Sequence, residues 1–289
     1  MVEDLLLKKK MKIKLWLVAA LISVSTIYTK AQQITVGTFN IRYDNPGDAG
    51  NLWKDRAPIV SNLIRFHEFD VLGVQEALKN QLADISSALP EYASYGKGRD
   101  DGKDGGEHSV IFYKKDRFKL IKSGDFWLSE TPDVPGKGWD ATCCNRICSW
   151  VYLQDLSTKK QFYVFNVHFD HQGVVARKES AKLMLTQISK IAGKEPVLLT
   201  GDFNGNRESD WYKTLANSGT ITDVYKNVQH PYANNSSSNG FRIPRGEAVI
   251  DHIFMSKQFS ASKWGILTDT YFGKFPSDHF PVLAKVTLK

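Results

Sequence analysis

Apolar runs of strand length recur along this chain, and most of them are apolar on both faces: ITVGTF (34–39), DVLGVQ (70–75), SVIFY (109–113), SWVYL (149–153), FYVFNV (162–167), PVLLT (196–200), VIDHIFM (249–255) and FPVLAKVTL (280–288). Their β-branched and aromatic content favours strands. A strand with no polar face must be covered on both sides, so these runs belong in sheets packed against something. Helical spacing lies between them. Trp53, Ala57, Val60 and Ile64 recur at three- and four-residue steps, as do Leu78, Leu82, Ile85 and Leu89 and the apolar positions of 174–192. A shorter helix over 211–219 is stopped by Gly219. Strands and helices interleave along one continuous α+β domain, for which two sheets with helices outside is the natural packing. The 42% hydrophobic content, with seven Trp and sixteen Phe, supplies the core this requires and excludes a disordered chain.

The first 31 residues read differently from the rest. Lys8, Lys9, Lys10, Lys12 and Lys14 precede LWLVAALISVSTI, an apolar stretch of 13 residues, too short to span a bilayer that needs about 20. Thr29-Lys30-Ala31 offers a small residue at a cleavage point. The expectation is a cleavable export signal over 1–31, a catalytic domain over 32–289 and no stable membrane span after processing, hence a periplasmic or secreted protein. Six of the 38 Lys and Arg and two of the 31 acids lie in that segment, so the remainder carries +3 rather than +7. A pI near 9 would hint at a polyanionic partner; +3 barely does. The cysteines Cys143, Cys144 and Cys148 sit together in ATCCNRICSW, and export permits a disulfide. They read as packed thiols or one local bridge.

Polar residues crowd the strand ends. ITVGTF ends in Asn40, DVLGVQ in Glu76 and FYVFNV in His168; PVLLT runs into GDFN, giving Asp202 and Asn204. Asp278 and His279 precede the last run and reach the same rim if that strand is antiparallel to the others. Asp251 interrupts VIDHIFM, where an unpaired carboxylate would cost several kcal/mol, and a histidine is the cheapest partner. Turn-forming preference explains any one of these residues. Jointly they make an oxygen-rich set of mixed Asp, Glu and Asn, which suits Mg²⁺ or Mn²⁺ better than zinc.

TFNIR, QE, NVHFDH, GDFN, IDHIF and SDHFPV, in this order, resemble the endonuclease/exonuclease/phosphatase superfamily with its deoxyribonuclease I-like fold. The resemblance spans roughly 34–288. It implies a four-layered α/β/β/α sandwich, two mixed sheets face to face, with a site on one rim. It implies Asn40 and Glu76 as the principal Mg²⁺ ligands, completed by Asp278. By the same resemblance Asp202 orients or deprotonates the attacking water and Asn204 holds a phosphate oxygen. His279 then contacts the scissile phosphate, Asp251 fixes it, and His168 is a candidate for protonating the leaving group.

Beyond the motifs, Arg42, Arg146 and His171 are candidates for substrate contact, since guanidinium forks suit phosphate. The Gly- and Asp-rich loop 96–109 carries Glu107 and His108, whose role the sequence leaves open. The expected activity is metal-dependent hydrolysis of a phosphodiester or phosphomonoester by an activated water, with a small phosphate ester as partner. Nuclease action on DNA or RNA is the alternative within that chemistry; a non-catalytic phosphate-binding module on the same scaffold is the alternative outside it.

Overall fold

The computed structural model describes residues 33–289 except 233–234 and 244–245, together with residues 1–4 and 6. The export segment read over 1–31 has its apolar run and processing site outside the described residues. Among the described residues, no helix is long and apolar enough to cross a membrane.

Among the described residues, twelve strands form two mixed sheets of six. In the first, β1 (Gln33–Asn40) pairs parallel with β2 (Val71–Ala77) and antiparallel with β12 (Val282–Leu288). β4 (His108–Lys114) and β3 (Tyr92–Tyr95) continue one side and β11 (Phe259–Ile266) the other, giving the order β11-β12-β1-β2-β4-β3. In the second, β7 (Gln161–His168) pairs parallel with β8 (Val197–Asp202). β5 (Phe118–Trp127), β6 (Ile147–Asp155), β9 (Ile221–Asp223) and β10 (Asp251–Ser256) complete the order β5-β6-β7-β8-β10-β9.

Each parallel pair needs a crossover, supplied by α1 (Trp53–Phe66) in one sheet and α3 (Val174–Ala192) in the other. The shorter α2 (Lys79–Ala88) and α4 (Asp210–Ala216) follow β2 and β8. All four lie where the apolar periodicity places them. The last ends a little before Gly219, which takes a positive φ of 72° just beyond it.

Three apolar clusters separate four layers. Val36, Val71, Val164 and Leu198 pack between the sheets; Phe39, Val60, Ile64 and Leu72 lie under the first helical layer; Phe165, Met184, Ile188 and Trp211 lie under the second. The α/β/β/α sandwich expected from the sequence is therefore present. The inter-sheet layer turns polar toward one end. There Gln75 Nε2 donates to Thr38 Oγ1 (3.0 Å) and Asn166 Oδ1 (2.6 Å), and Thr200 Oγ1 donates to the same Asn166 oxygen (3.0 Å). A Cβ at Gly73 would stand 2.2 Å from Thr200 Oγ1 and 2.5 Å from Asn166 Oδ1. The bare Gly73 backbone lets the sheets close over this layer, directly beneath the rim.

Candidate active site

The rim is built from backbone turns that ordinary side chains rarely adopt. Asn40 ends β1, and two residues later Arg42 takes φ 56°. Glu76 takes φ 63° inside β2, where the pairing with β4 slips between Val74 and Ala77. Such a bulge re-aims a side chain that strict alternation would send elsewhere. Asn204, two residues past β8, has φ 49°. Left-handed non-glycine residues cost on the order of 1 kcal/mol or more, and three of the eight among the described residues lie at this rim.

These turns bring the sheets' polar residues together. Asn40 Nδ2 donates to Glu76 Oε1 (2.9 Å) in its own sheet and to Asp202 Oδ2 (3.0 Å) in the other. Asn40 Oδ1 accepts from the Arg42 amide (3.0 Å). In this arrangement Asn40 links carboxylates of the two sheets. Glu76 Oε2 accepts from the Tyr43 amide (3.2 Å). Arg42 is gripped by Asp48 (Nε–Oδ2 2.9 Å) and lies 3.9 Å from Glu76 Oε2 and 3.8 Å from Asp278 Oδ2. The strand after Asp278 is antiparallel to β1, so Asp278 and His279 do reach this rim.

Asp251 opens β10 rather than interrupting it, paired in register with Asp202 at the end of β8. Its Oδ2 meets His279 Nδ1 at 2.9 Å, and His279 Nε2 lies 3.8 Å from Asp202 Oδ2. Burial works against a charged imidazole here. The carboxylates of Asp251 and Asp202 and the Asp251 hydrogen bond outweigh it, holding the His279 pKa well above its ordinary value.

His168 is the opposite case. Burial, then the guanidinium charges of Arg146 and Arg99, push its pKa well below the ordinary value. Asn204 Nδ2 donates to His168 Nε2 (3.0 Å) and to the Phe169 carbonyl (2.9 Å). The ring proton is thereby assigned to Nδ1, which faces Glu107 Oε2 at 3.8 Å. Glu107, whose role the sequence left open, is thus the carboxylate behind His168 and also pairs with Arg99. Burial raises its pKa to about 7 against the opposing pull of Arg99. Glu107 stands at the entrance to β4, as Asp278 and His279 stand before β12.

A cleft of about 500 Å³ opens over these groups. Arg146, at the entrance to β6, is buried; its Nε lies 3.4 Å from Asp170 Oδ2 and its Nη2 donates to His171 Nδ1 at 2.8 Å. Its Nη1 is buried with no hydrogen-bond partner among the described residues. Tyr43, Arg99 and a disulfide joining Cys143 to its neighbour Cys144 complete the wall, while Cys148 is buried and free. Tyr43, Arg99 and this bridge were not singled out as site residues by sequence. The local bridge was one of its two readings of the cysteines.

The donor set fits a hard divalent cation. Burial raises the Asp278 pKa and Glu76 adds to it; burial and Asp251 raise that of Asp202. Acids that crowd one another in this way are relieved by positive charge. Asp202, Asp251 and His279 present ligand atoms within 4.8 Å of one another. Asp251 Oδ2 is taken by His279, while Asp251 Oδ1 is buried without a hydrogen-bond partner among the described residues. Glu76 and Asp278 bring further carboxylates to the same rim, both facing Arg42.

With the geometry in view, the chain's likenesses are specific. The sequence model of the Endonuclease/Exonuclease/phosphatase family matches residues 37–279. A Bacteroides thetaiotaomicron protein of that family superposes with a TM-score of 0.87 at 42% identity, over 89% of this chain and 98% of the other. The mannosyl-6-phosphatase of Bacteroides thetaiotaomicron superposes with a TM-score of 0.86 at 42% identity, over 88% and 100%. The human nocturnin catalytic domain shares the fold, with a TM-score of 0.70 at 20% identity over 89% and 95%.

Proposed function

This chain belongs to the endonuclease/exonuclease/phosphatase family, and on that premise we propose that it is a divalent-metal-dependent phosphoesterase acting on a small phosphomonoester, a sugar phosphate by preference. The observation that carries the reading is the meeting of Glu76, Asp202 and His279 from both sheets in one cleft, linked through Asn40 and Asp251, with Asp278 and Glu76 both facing Arg42. The 42% identity to a mannosyl-6-phosphatase over its full length favours a sugar phosphate. The +3 charge outside the first 31 residues offers little for a duplex whose affinity comes from many phosphate contacts.

Glu76 and Asp278 would hold Mg²⁺ or Mn²⁺, which when bound supplies positive charge to the phosphoryl oxygens and a template for the ester. Asp202, with its raised pKa, takes the proton of the attacking water. The charged His279 donates to a phosphoryl oxygen as negative charge develops there, and Asp251 fixes its ring. Asn204 lines the cleft beside this group. Both hydrogens of its Nδ2 are held by neutral His168 and the Phe169 carbonyl, so here its amide is oriented rather than free to donate to phosphate. In that state His168 positions Asn204 rather than holding a proton for the leaving group. Arg146 Nη1, buried without a hydrogen-bond partner among the described residues, is a further donor for anionic oxygen.

We also place the protein outside the cytoplasm: the Lys-rich start with its short apolar run supports export, and an oxidising compartment suits the Cys143–Cys144 bridge. The test of function is hydrolysis of p-nitrophenyl phosphate, bis-(p-nitrophenyl) phosphate, hexose phosphates and plasmid DNA, each with and without Mg²⁺. Metal-dependent turnover of monoesters above the diester and DNA is expected. Preferred cleavage of DNA would install the nuclease alternative, and turnover of nothing by the folded protein would favour a phosphate-binding module.

A further inference from the structure

The loop between β5 and β6 places the Cys143–Cys144 bridge in the wall of the cleft, and neither the fold nor the proposed chemistry at phosphorus uses it. The bridge is held from both sides. Upstream, Asp140 Oδ1 and Oδ2 accept from the amides of Ala176 and Val175 at the start of α3 (2.6 and 3.0 Å). Lys137 Nζ donates to the Thr142 carbonyl (2.8 Å), and Thr142 Oγ1 donates to Gln172 Oε1. Downstream, Asn145 Nδ2 donates to the Arg99 carbonyl (3.3 Å), and Arg146 is fixed by Asp170 and His171. Cys143 is nevertheless exposed, and Cys144 partly so. Two apolar residues held so firmly and left open to solvent beside a reaction centre need an occupant.

We infer that the Cys143–Cys144 disulfide is the leaving-group wall of this site, a specificity element that packs against the carbon face of a pyranose phosphate. This rests on the phosphoesterase reading and assigns the part of the substrate that phosphorus chemistry leaves open. The bridge closes a small ring whose disulfide face is polarizable and apolar, with the peptide group between the two cysteines on its other side, so that face can cover C–H groups but reads no polar edge. Polar edges are read around it: His171 accepts at Nδ1 from Arg146, which leaves its proton on Nε2 to offer a hydroxyl. A sugar presents both a C–H face and a hydroxyl edge. A nucleobase calls for an open aromatic plate; Tyr43 is the aromatic ring of phenol or indole type in the lining, and Arg42 lies over it at 4.5 Å from its centroid.

The first measurement is thiol alkylation of the unfolded, unreduced protein. Cys148 should label and Cys143 and Cys144 should not; labelling of all three overturns the proposal. The second compares wild type with Cys143→Ser/Cys144→Ser. KM for mannose 6-phosphate or glucose 6-phosphate should rise about tenfold, while Ki for inorganic phosphate, which occupies the reaction centre alone, moves less than about twofold. Dithiothreitol gives the bridge two electrons and two protons and closes to its own cyclic disulfide; it should raise KM in wild type and leave the double variant unchanged. An unchanged KM, or a KM and Ki that rise together, overturns the wall. So does a larger KM effect on a nucleoside monophosphate than on the hexose phosphates. Failure of the underlying reading looks different: wild type would hydrolyse no phosphate ester at all, and both proposals would fall.

Discussion

Arg56 holds the site without being part of its chemistry. It is fully buried, and its guanidinium donates to four backbone carbonyls: Asn51 (2.8 Å), Ile41 (2.7 Å), Pro276 (3.0 Å) and Arg42 (3.2 Å). Those carbonyls belong to the loops that deliver Asn40–Arg42 and Asp278–His279. Replacing it with Leu strands them in a dry interior, at roughly 1–3 kcal/mol each where no water replaces the donor. Arg56→Leu should therefore lose about 3 kcal/mol or more in urea unfolding, and Arg56→Lys less. His279 carries the pH prediction. Its raised pKa means that the charged form persists through neutrality and is lost as pH rises through that value. kcat should thus fall on the alkaline side, and Asp251→Asn should move that limb to lower pH by removing the charge that holds the proton. A limb that stays put would detach the titration from His279. At this scale residue types at the strand ends were legible, because acids and amides among apolar runs stand out. The left-handed turns at Glu76, Arg42 and Asn204 were not, since non-glycine residues give no sign of them. Nor was the place of Glu107 behind His168, since it is set among other acids in a Gly-rich loop.

Among the elements, legibility divided by position in the sheet. The apolar runs announced β1, β2, β4, β6, β7, β8, β10 and β12, which are the interior strands. The strands they missed, β3, β5, β9 and β11, are the four sheet edges. β5 (FKLIKSGDFW) and β11 (FSASKWGI) carry exposed lysines and serines along their length. An edge strand has one neighbour and more water, so it tolerates charge and is often protected by it; a search for two apolar faces passes over it. Helices were found readily because each lays one stripe on a sheet. Gly73 carries the element-scale prediction. It lies in the interior strand β2, where glycine weakens a strand unless another chain must come close. Here a Cβ would collide with Thr200 and Asn166, both in the facing sheet. Gly73→Ala should cost about 1–3 kcal/mol through overpacking and reduce kcat more than KM, because Gln75 and Asn166 support the residues that hold Asn40 and Glu76. Stability equal to wild type would mean that the polar layer can shift freely.

Across the whole molecule, the two sheets repeat one topology. β1-α1-β2-α2-β3-β4 in the first matches β7-α3-β8-α4-β9-β10 in the second, and the hairpin β11-β12 matches β5-β6. Equivalent strand ends supply equivalent site positions: Asn40 matches His168, Glu76 matches Asp202, and the entrance at Asp278–His279 matches that at Arg146. No sequence repeat betrays this, because a shared topology needs only the same order of patterns. Ligand linkage is expected at this scale. Excess Mg²⁺ at about 100 times its Kd stabilises a folded protein by about 2.7 kcal/mol. Titration with Mg²⁺ should therefore raise the melting temperature of wild type and not of Glu76→Gln, which should fold but lose most turnover. An equal rise in both would remove Glu76 from the cation site. The sequence by itself determined the layers, the helices and the chemical kinds at the strand ends, since hydrophobic period and residue type are local properties. Tertiary structure alone decided which acid meets which imidazole, which histidine is charged, and that adjacent cysteines wall the cleft. Those depend on register, burial and through-space charge between segments distant along the chain, from 28 residues for Asp251 and His279 to 162 for Asn40 and Asp202, which spacing along a chain does not encode.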